Sequence, residues 1–273
     1  MKEIIVVVAV IMAVTCMSIK TAPAERLEIP GTGACEVMLN ELARAFNAAN
    51  ANQEVVIPRS IGTKSAVENV IAEKASMARV ARPLEGEETK HGLKYIVFAK
   101  DTITFATGEK VDIHSLTVSQ LLDIFSGKVE NWRQVGGMDS VIRVLIRQPG
   151  DSSLLIIQQN IKPFQELAYT DRAKILYHDY EMFDSLEKYK MAIGWGTFSA
   201  FIASKIIRPI GIEHIMPTPE NVQSGKYRMT CDYALVFKER KLTELSRKFI
   251  DFLLSESAKQ MMRKQGCVPT DGK

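Results

Sequence analysis

Arg147-Gln148-Pro149-Gly150-Asp151-Ser152-Ser153 is the stretch of this chain whose residue types could do chemistry. The apolar run Val141 to Ile146 before it reads as a buried strand, and Leu154 to Gln159 after it could begin a helix. A strand, a Pro-Gly turn and a helix start gather free backbone N–H groups at one point, where the positive end of the helix dipole adds to them. Arg147 contributes a planar donor fork that suits a tetrahedral oxyanion, and Ser152 and Ser153 contribute hydroxyls. That chemistry is anion binding. The plainer reading is an ordinary turn in which Asp151 caps the helix and Arg147 lies on the surface. Gly150-Asp151-Ser152 also admits a serine esterase, which needs a histidine to activate the serine. None of His91, His114, His178 and His214 lies in an Asp-x-x-His pair, and no Gly-x-Ser-x-Gly elbow occurs, so an enzyme is not expected.

The N-terminus has the layout of an export signal. Lys2 precedes an apolar run from Ile4 to Met17, and Ala22-Pro23-Ala24 is a cleavage pattern of the A-x-A type, with cleavage expected after Ala24. A lipid anchor at Cys16 is the alternative. The run is shorter than the ~20 residues of a spanning helix, so the mature protein is expected to be exported, to the periplasm or cell surface. Cys35, Cys231 and Cys267 remain, an odd set that allows one disulfide without choosing the pair. The net charge of +3, with Lys and Arg scattered, argues against a nucleic-acid partner. No C-x-x-C occurs and the histidines are far apart, so neither a metal nor another cofactor is expected.

The elements that must hold the Arg147 stretch read as alternating strands and helices. Leu27 to Ile29 is a strand, Pro30 to Cys35 a Gly-rich turn, and Val37, Met38, Leu42, Ala45 and Phe46 have helical spacing. Val55 to Ile57 is a second strand, and the polar turn Ile61 to Ser65 opens a helix from about Ala66 to Lys74. Met77 to Leu84 is a strand and turn, and Leu93 to Ala99 a strong strand. This alternation indicates an α/β fold with largely parallel strands. Thr117 and Gln120 fit a capping box for a helix from Val118 to Phe125, closed by Gly127. Tyr177 to Leu186 carries no clear pattern. Met191 to Trp195 is a strand in which Gly194 implies close backbone approach. Tyr233 to Phe237 is a strand. Leu242, Leu245, Phe249, Phe252 and Leu253 make one helix stripe, and Ser255 caps a last helix with Met261 and Met262 inward.

In this order the chain resembles the phosphate-binding protein family, the periplasmic or surface receptors of ABC phosphate importers. Three segments carry the resemblance. One is Leu116-Thr117 through Ile124-Phe125-Ser126-Gly127-Lys128 to Asn131-Trp132 and Val135-Gly136-Gly137. Another is Pro217-Thr218-Pro219-Glu220-Asn221 with Ser224-Gly225-Lys226-Tyr227. The last is Phe252-Leu253-Leu254-Ser255 running to Gly266-Cys267-Val268-Pro269. The resemblance covers nearly the whole mature chain. It implies a two-lobed periplasmic binding protein fold, each lobe a mostly parallel sheet flanked by helices, with the ligand cleft between lobes. Residues 25–101 plus 236–273 would form one lobe and 102–235 the other, after a signal peptide at 1–24. The strands near Phe98 to Phe105 and Cys231 to Phe237 would be the hinge.

The implied function is an exported receptor that binds an oxyanion, with phosphate first, and hands it to an ABC permease in the inner membrane, acting as a monomer. The implied contacts are Gly33, Ala34 and Cys35 in the first loop, Thr63 in the second, and Arg147, Asp151, Ser152 and Ser153 in the third. The family has a hydroxyl residue at Cys35, a serine at Asp151 and a glycine at Ser152. Its phosphate-accepting aspartate is replaced here by Ala81, followed by Arg82. Either Asp151 supplies the lost acceptor from the other lobe, or it only caps its helix and leaves an altered site. A sensory or adhesive relative with altered or lost ligand binding is the alternative reading.

Overall fold

The computed structural model describes residues 25–272; the signal segment expected from Lys2 to Ala24, with Cys16, lies outside them. The chain opens on β1 (Glu25–Glu28) and α1 (Glu36–Ala49). α1 buries Met38, Leu39, Leu42, Ala43 and Phe46, a stripe at helical spacing that seats it on the core. β2 (Gln53–Val56) runs parallel to β1 after this helical crossover. α2 (Thr63–Ile71), β3 (Met77–Val80) and the 14-residue β4 (Lys94–Thr107) follow.

Beyond β4 come β5 (Ser115–Leu116) and α3 (Val118–Ser126). α3 has the expected capping box: the Thr117 hydroxyl accepts from the Gln120 amide at 3.1 Å, and the Gln120 side chain accepts from the Thr117 amide at 2.9 Å. Gly127, at φ 82°, ends it in the left-handed region. β6 (Arg143–Arg147), α4 (Ser152–Asn160), β7 (Lys174–Leu176) and α5 (Asp179–Lys188) build the cleft wall. β8 (Ala192–Thr197), α6 (Phe198–Ala203), β9 (Arg208–Pro209), β10 (Gly211–Ile212) and α7 (Pro219–Gln223) complete this part. β11 (Thr230–Phe237) then returns to α8 (Glu244–Leu254), α9 (Glu256–Lys264) and β12 (Val268–Pro269).

β4 is the spine of a sheet ordered β3-β11-β4-β8-β6-β7, with β9 and β12 also pairing to β4. Lys94 to Thr102 pair with β11, whereas Ile103 to Thr107 pair with β8, so one continuous strand changes partner along its length. Parallel pairs lie on the flanks, at β1–β2, β6–β7 and β6–β8. The pairs along β4 and β11 are antiparallel, with β11 running back beside β4. The local alternation of strands and helices does not reveal this reversal of direction.

One apolar cluster spans the molecule. Phe46 of α1 meets Phe249 of α8 edge-on at 5.3 Å, and Phe125 of α3 lies 5.4 Å from Trp195 of β8. Gly194 does provide close approach: the Met182 sulfur of α5 occupies the space a Cβ would need. Met262 is fully buried and Met261 partly so. Cys35, Cys231 and Cys267 are buried and free, so none of the disulfides the sequence allows is formed. No helix among the described residues is long and apolar enough to cross a membrane.

Asp101 is buried on β4 where its partner changes from β11 to β8. Its carboxylate accepts from the hydroxyls of Tyr233 and Ser199 and from the amides of Thr102 and Ser199. Burial raises its pKa above the usual carboxylate range despite these donors. The folded state therefore holds the proton more tightly than the unfolded chain. The stabilisation is complete below the unfolded value of about 4 and is lost as pH rises through the raised folded value. Urea unfolding of wild type and Asp101→Asn across this window tests it: the wild type should lose stability relative to the variant as pH rises. A pH-independent difference would contradict the assignment.

Candidate functional site

Arg147 ends β6 with its side chain only 4% exposed. Nη2 donates to Asp151 Oδ2 at 2.7 Å and to the Tyr177 carbonyl at 3.3 Å, and Nη1 donates to Asp179 Oδ1 at 2.9 Å. Nε is buried and has no hydrogen-bond partner among the described residues. Burial works against the charge on Arg147, but the attraction of Asp179 and Asp151 outweighs it and leaves the pKa above its usual value.

Asp151 is the N-cap of α4, and its Oδ1 accepts from the amides of Ser153 and Leu154 at 3.0 and 3.2 Å. The Ser153 hydroxyl also donates to Asp151 and accepts from the Trp195 indole N–H at 3.1 Å. A core tryptophan, a helix start and a buried arginine thus form one connected network. Burial raises the Asp151 pKa; Arg147 opposes that shift and the like charge of Asp179 adds to it.

Asp179 opens α5, in the segment whose sequence pattern was unreadable. It also touches the loop before α1: a Cβ built on Gly33 would lie 2.5 Å from Asp179 Oδ2. Arg147, Asp151 and Asp179 line a polar cavity of about 330 Å³. Thr32, Ser60, Thr63, Lys64, Ser65 and Arg82 line one wall; Arg147, Asp151, Ser152, Tyr177, His178 and Asp179 line the other. α2 starts at this cavity behind Gly62, whose φ of 80° favours glycine and which provides no side-chain cap. The opening amides of α2, with the Thr63 and Ser65 hydroxyls, are donors of the kind an anion takes.

A second buried arginine positions the loops before α1 and α2. Arg79 of β3 donates to the carbonyls of Thr32 at 2.8 Å, Pro58 at 2.7 Å and Ile29, and to Glu36 at 3.2 Å. It ties the β1–α1 loop to the segment before α2. Gly31 is required beneath it, since a Cβ there would overlap the Arg79 carbonyl. Burial lowers the Arg79 pKa and raises that of Glu36, with each charge supporting the other.

The expected contact residues divide by location. Thr63, Arg147, Asp151 and Ser152 share the cavity. Gly33 touches Asp179 beside it. Ala34 is buried, and its carbonyl accepts from the hydroxyls of Tyr233 at 2.7 Å and Thr197 at 3.3 Å. Cys35 faces the core, where burial pushes its thiol up to about 12, so its side chain does not replace the family's hydroxyl in the cavity. Ser153 is committed to the Trp195–Asp151 network. Ala81 lines an adjoining cavity of about 270 Å³ that shares Arg82 and Ser152 with the first. Arg82 is held by both oxygens of Glu88, at 2.8 and 2.9 Å, and Lys64 is exposed at the mouth.

Asp179 and Arg79 are the residues that sequence reasoning missed. A lone arginine within Met77-Ala78-Arg79-Val80, a strand buried along its length, was the available signal for one. For the other, the signal was an acid at the first position of a helix. Replacing Arg79 with Met should cost roughly 3–5 kcal/mol in urea unfolding, because three carbonyls and Glu36 lose their partner inside the protein. A loss below about 1 kcal/mol would remove Arg79 from this positioning role.

The profile of the PBP superfamily domain matches residues 18–257. The phosphate-binding protein PstS of Borreliella burgdorferi is 24% identical over 275 residues, covering 97% of this chain and 98% of that protein. PstS of Bacillus subtilis is 23% identical over 254 residues, covering 89% and 80%. A Clostridium perfringens protein, described as a phosphate ABC transporter substrate-binding protein and solved with bound phosphate, superposes with a TM-score of 0.77 at 26% identity over 90% of this chain and all of its own. An ABC-type phosphate transport receptor from Vibrio cholerae shares the fold, with a TM-score of 0.63 at 22% identity over 89% and 99%.

Proposed function

The chain belongs to the PBP superfamily, and we propose that it is an exported receptor that binds an oxyanion, phosphate first, and delivers it to an ABC importer. The observation that carries this reading is Arg147: a buried guanidinium with an unpartnered Nε, lining a polar cavity opposite the uncapped start of α2. The names of the relatives support the same solute. Binding needs no bond chemistry. The amides of α2, the hydroxyls of Thr63 and Ser152 and the Arg147 fork would hold the anion, and opening of the lobes would release it. The lobes proposed are 25–101 with 236–273, and 102–235, turning about β4 and β11.

Ser152 and His178 line one cavity, which bears on the esterase alternative. The imidazole, however, stacks on Tyr180 at 5.2 Å rather than bonding to Ser152. A more serious second reading is a relative with altered or lost binding. It is favoured by one fact: Asp151 and Asp179 already neutralise Arg147.

Calorimetry with phosphate, arsenate, sulfate, molybdate and tungstate separates the two. Saturable phosphate binding is expected, weakened roughly tenfold or more in Arg147→Lys, since an ammonium lacks the planar fork. No binding heat with any of these oxyanions would end the receptor reading in favour of the second.

Asp151 is also proposed as the proton acceptor that replaces the aspartate lost at Ala81. A carboxylate there would accept from hydrogen phosphate and repel sulfate. Asp151→Ser should then narrow the preference for phosphate over sulfate by about tenfold. An unchanged ratio would leave Asp151 as a helix cap alone.

A further inference from the structure

We propose that Asp179 is a tethered anion that competes with the solute for Arg147, so that the first turn of α5 sets the affinity of the cleft. The inference rests on the reading that this cavity takes an oxyanion. Arg147 has two carboxylate partners of different kinds. Asp151 belongs to the helix start, where it also holds the amides of Ser153 and Leu154. Asp179 comes from a separate element, 32 residues along the chain, and among the described residues its carboxylate has no hydrogen-bond partner but Arg147. One carboxylate is fixed by the fold, and the other can leave.

The location of Asp179 is that of a ligand. Oδ1 lies 2.9 Å from Arg147, and Oδ2 packs against Gly33 on the opposite lobe, at the approach to α1. The N-cap position of α1, Cys35, offers no side-chain cap. The Asp179 carboxylate therefore sits between the Arg147 guanidinium and the loop that leads into α1, where a free oxyanion could take its place on Arg147. Next to it, Tyr180 stacks with His178 and receives Arg59 of the opposite lobe 4.8 Å above its ring. The same turn thus bridges the lobes at two points. An incoming anion would be a third negative charge on a cation that already holds Asp151 and Asp179, and Asp179 is the one not held by a helix start, so it is the one to be displaced. The unpartnered Nε of Arg147 is the donor that neither carboxylate uses.

Self-occupancy lowers apparent affinity by the fraction of molecules whose site is free, so a site filled by Asp179 nine-tenths of the time loses about tenfold. The test is calorimetry of inorganic phosphate against wild type, Asp179→Asn and Asp179→Ala, with folding of each checked by near-ultraviolet circular dichroism. The Asn variant keeps the size of the side chain at the start of α5 while removing its charge. Both variants are expected to bind phosphate at least about tenfold more tightly than wild type. Binding in the variants where wild type shows none would be the extreme form of that result. Equal or weaker binding in folded variants, with wild type still binding, would overturn the tethered anion and leave the receptor reading intact. No phosphate binding by any of the three proteins would overturn both.

Discussion

One guanidinium shared by two carboxylates governs the cleft of this protein. At 4% exposure Arg147 cannot stand unpaired, because an isolated charge in so little water is costly. The turn after β6 supplies Asp151 and the start of α5 supplies Asp179. The rest follows from that pairing. Asp151 is locked by α4, α4 is locked through Ser153 to Trp195, and Trp195 is embedded among Phe105 and Phe125. The anion-handling group is therefore anchored in the core, which is the rigidity a binding site needs.

The two buried arginines show how partners separate structure from function. Arg79 gives its donors to three loop carbonyls and to the Glu36 carboxylate at the start of α1. Arg147 faces a polar cavity and retains an unpartnered Nε. The first fixes where the loops before α1 and α2 lie. The second is the group those loops face. β4 joins the strands that carry the two arginines, since its first half pairs with β11 beside β3 and its second half with β8 beside β6, with Asp101 buried at the change of partner.

Much of the architecture was legible because it rests on local rules. The capping box at Thr117 and Gln120, the glycine stop at Gly127, the Asp151 cap and the Ser255 cap all act within four residues of chain. The apolar stripes of α1 and α8 follow from helical period alone. The Arg147 stretch stood out for the same reason: a strand, a turn and a helix start are adjacent in sequence. Less legible was the direction of strand pairing, since β4 reads as a short strand near Leu93 to Ala99 and runs on to Thr107. The inward turn of Cys35 was hidden because a small residue before a helix fits either the core or a cleft.

Read alone, the chain shows most of its helix starts and stops, among them the caps of α3, α4 and α9, and the one turn that gathers donors suited to an anion, but neither α5 nor the full run of β4. Only the tertiary structure decided what Arg147 would face. Its partner Asp179 lies 32 residues away on an element whose placement depends on β7 packing beside β6 and on Met182 filling the space above Gly194. Turn chemistry and periodicity act over a few residues, whereas the meeting of two charges from separate elements is set by how the whole core closes around them.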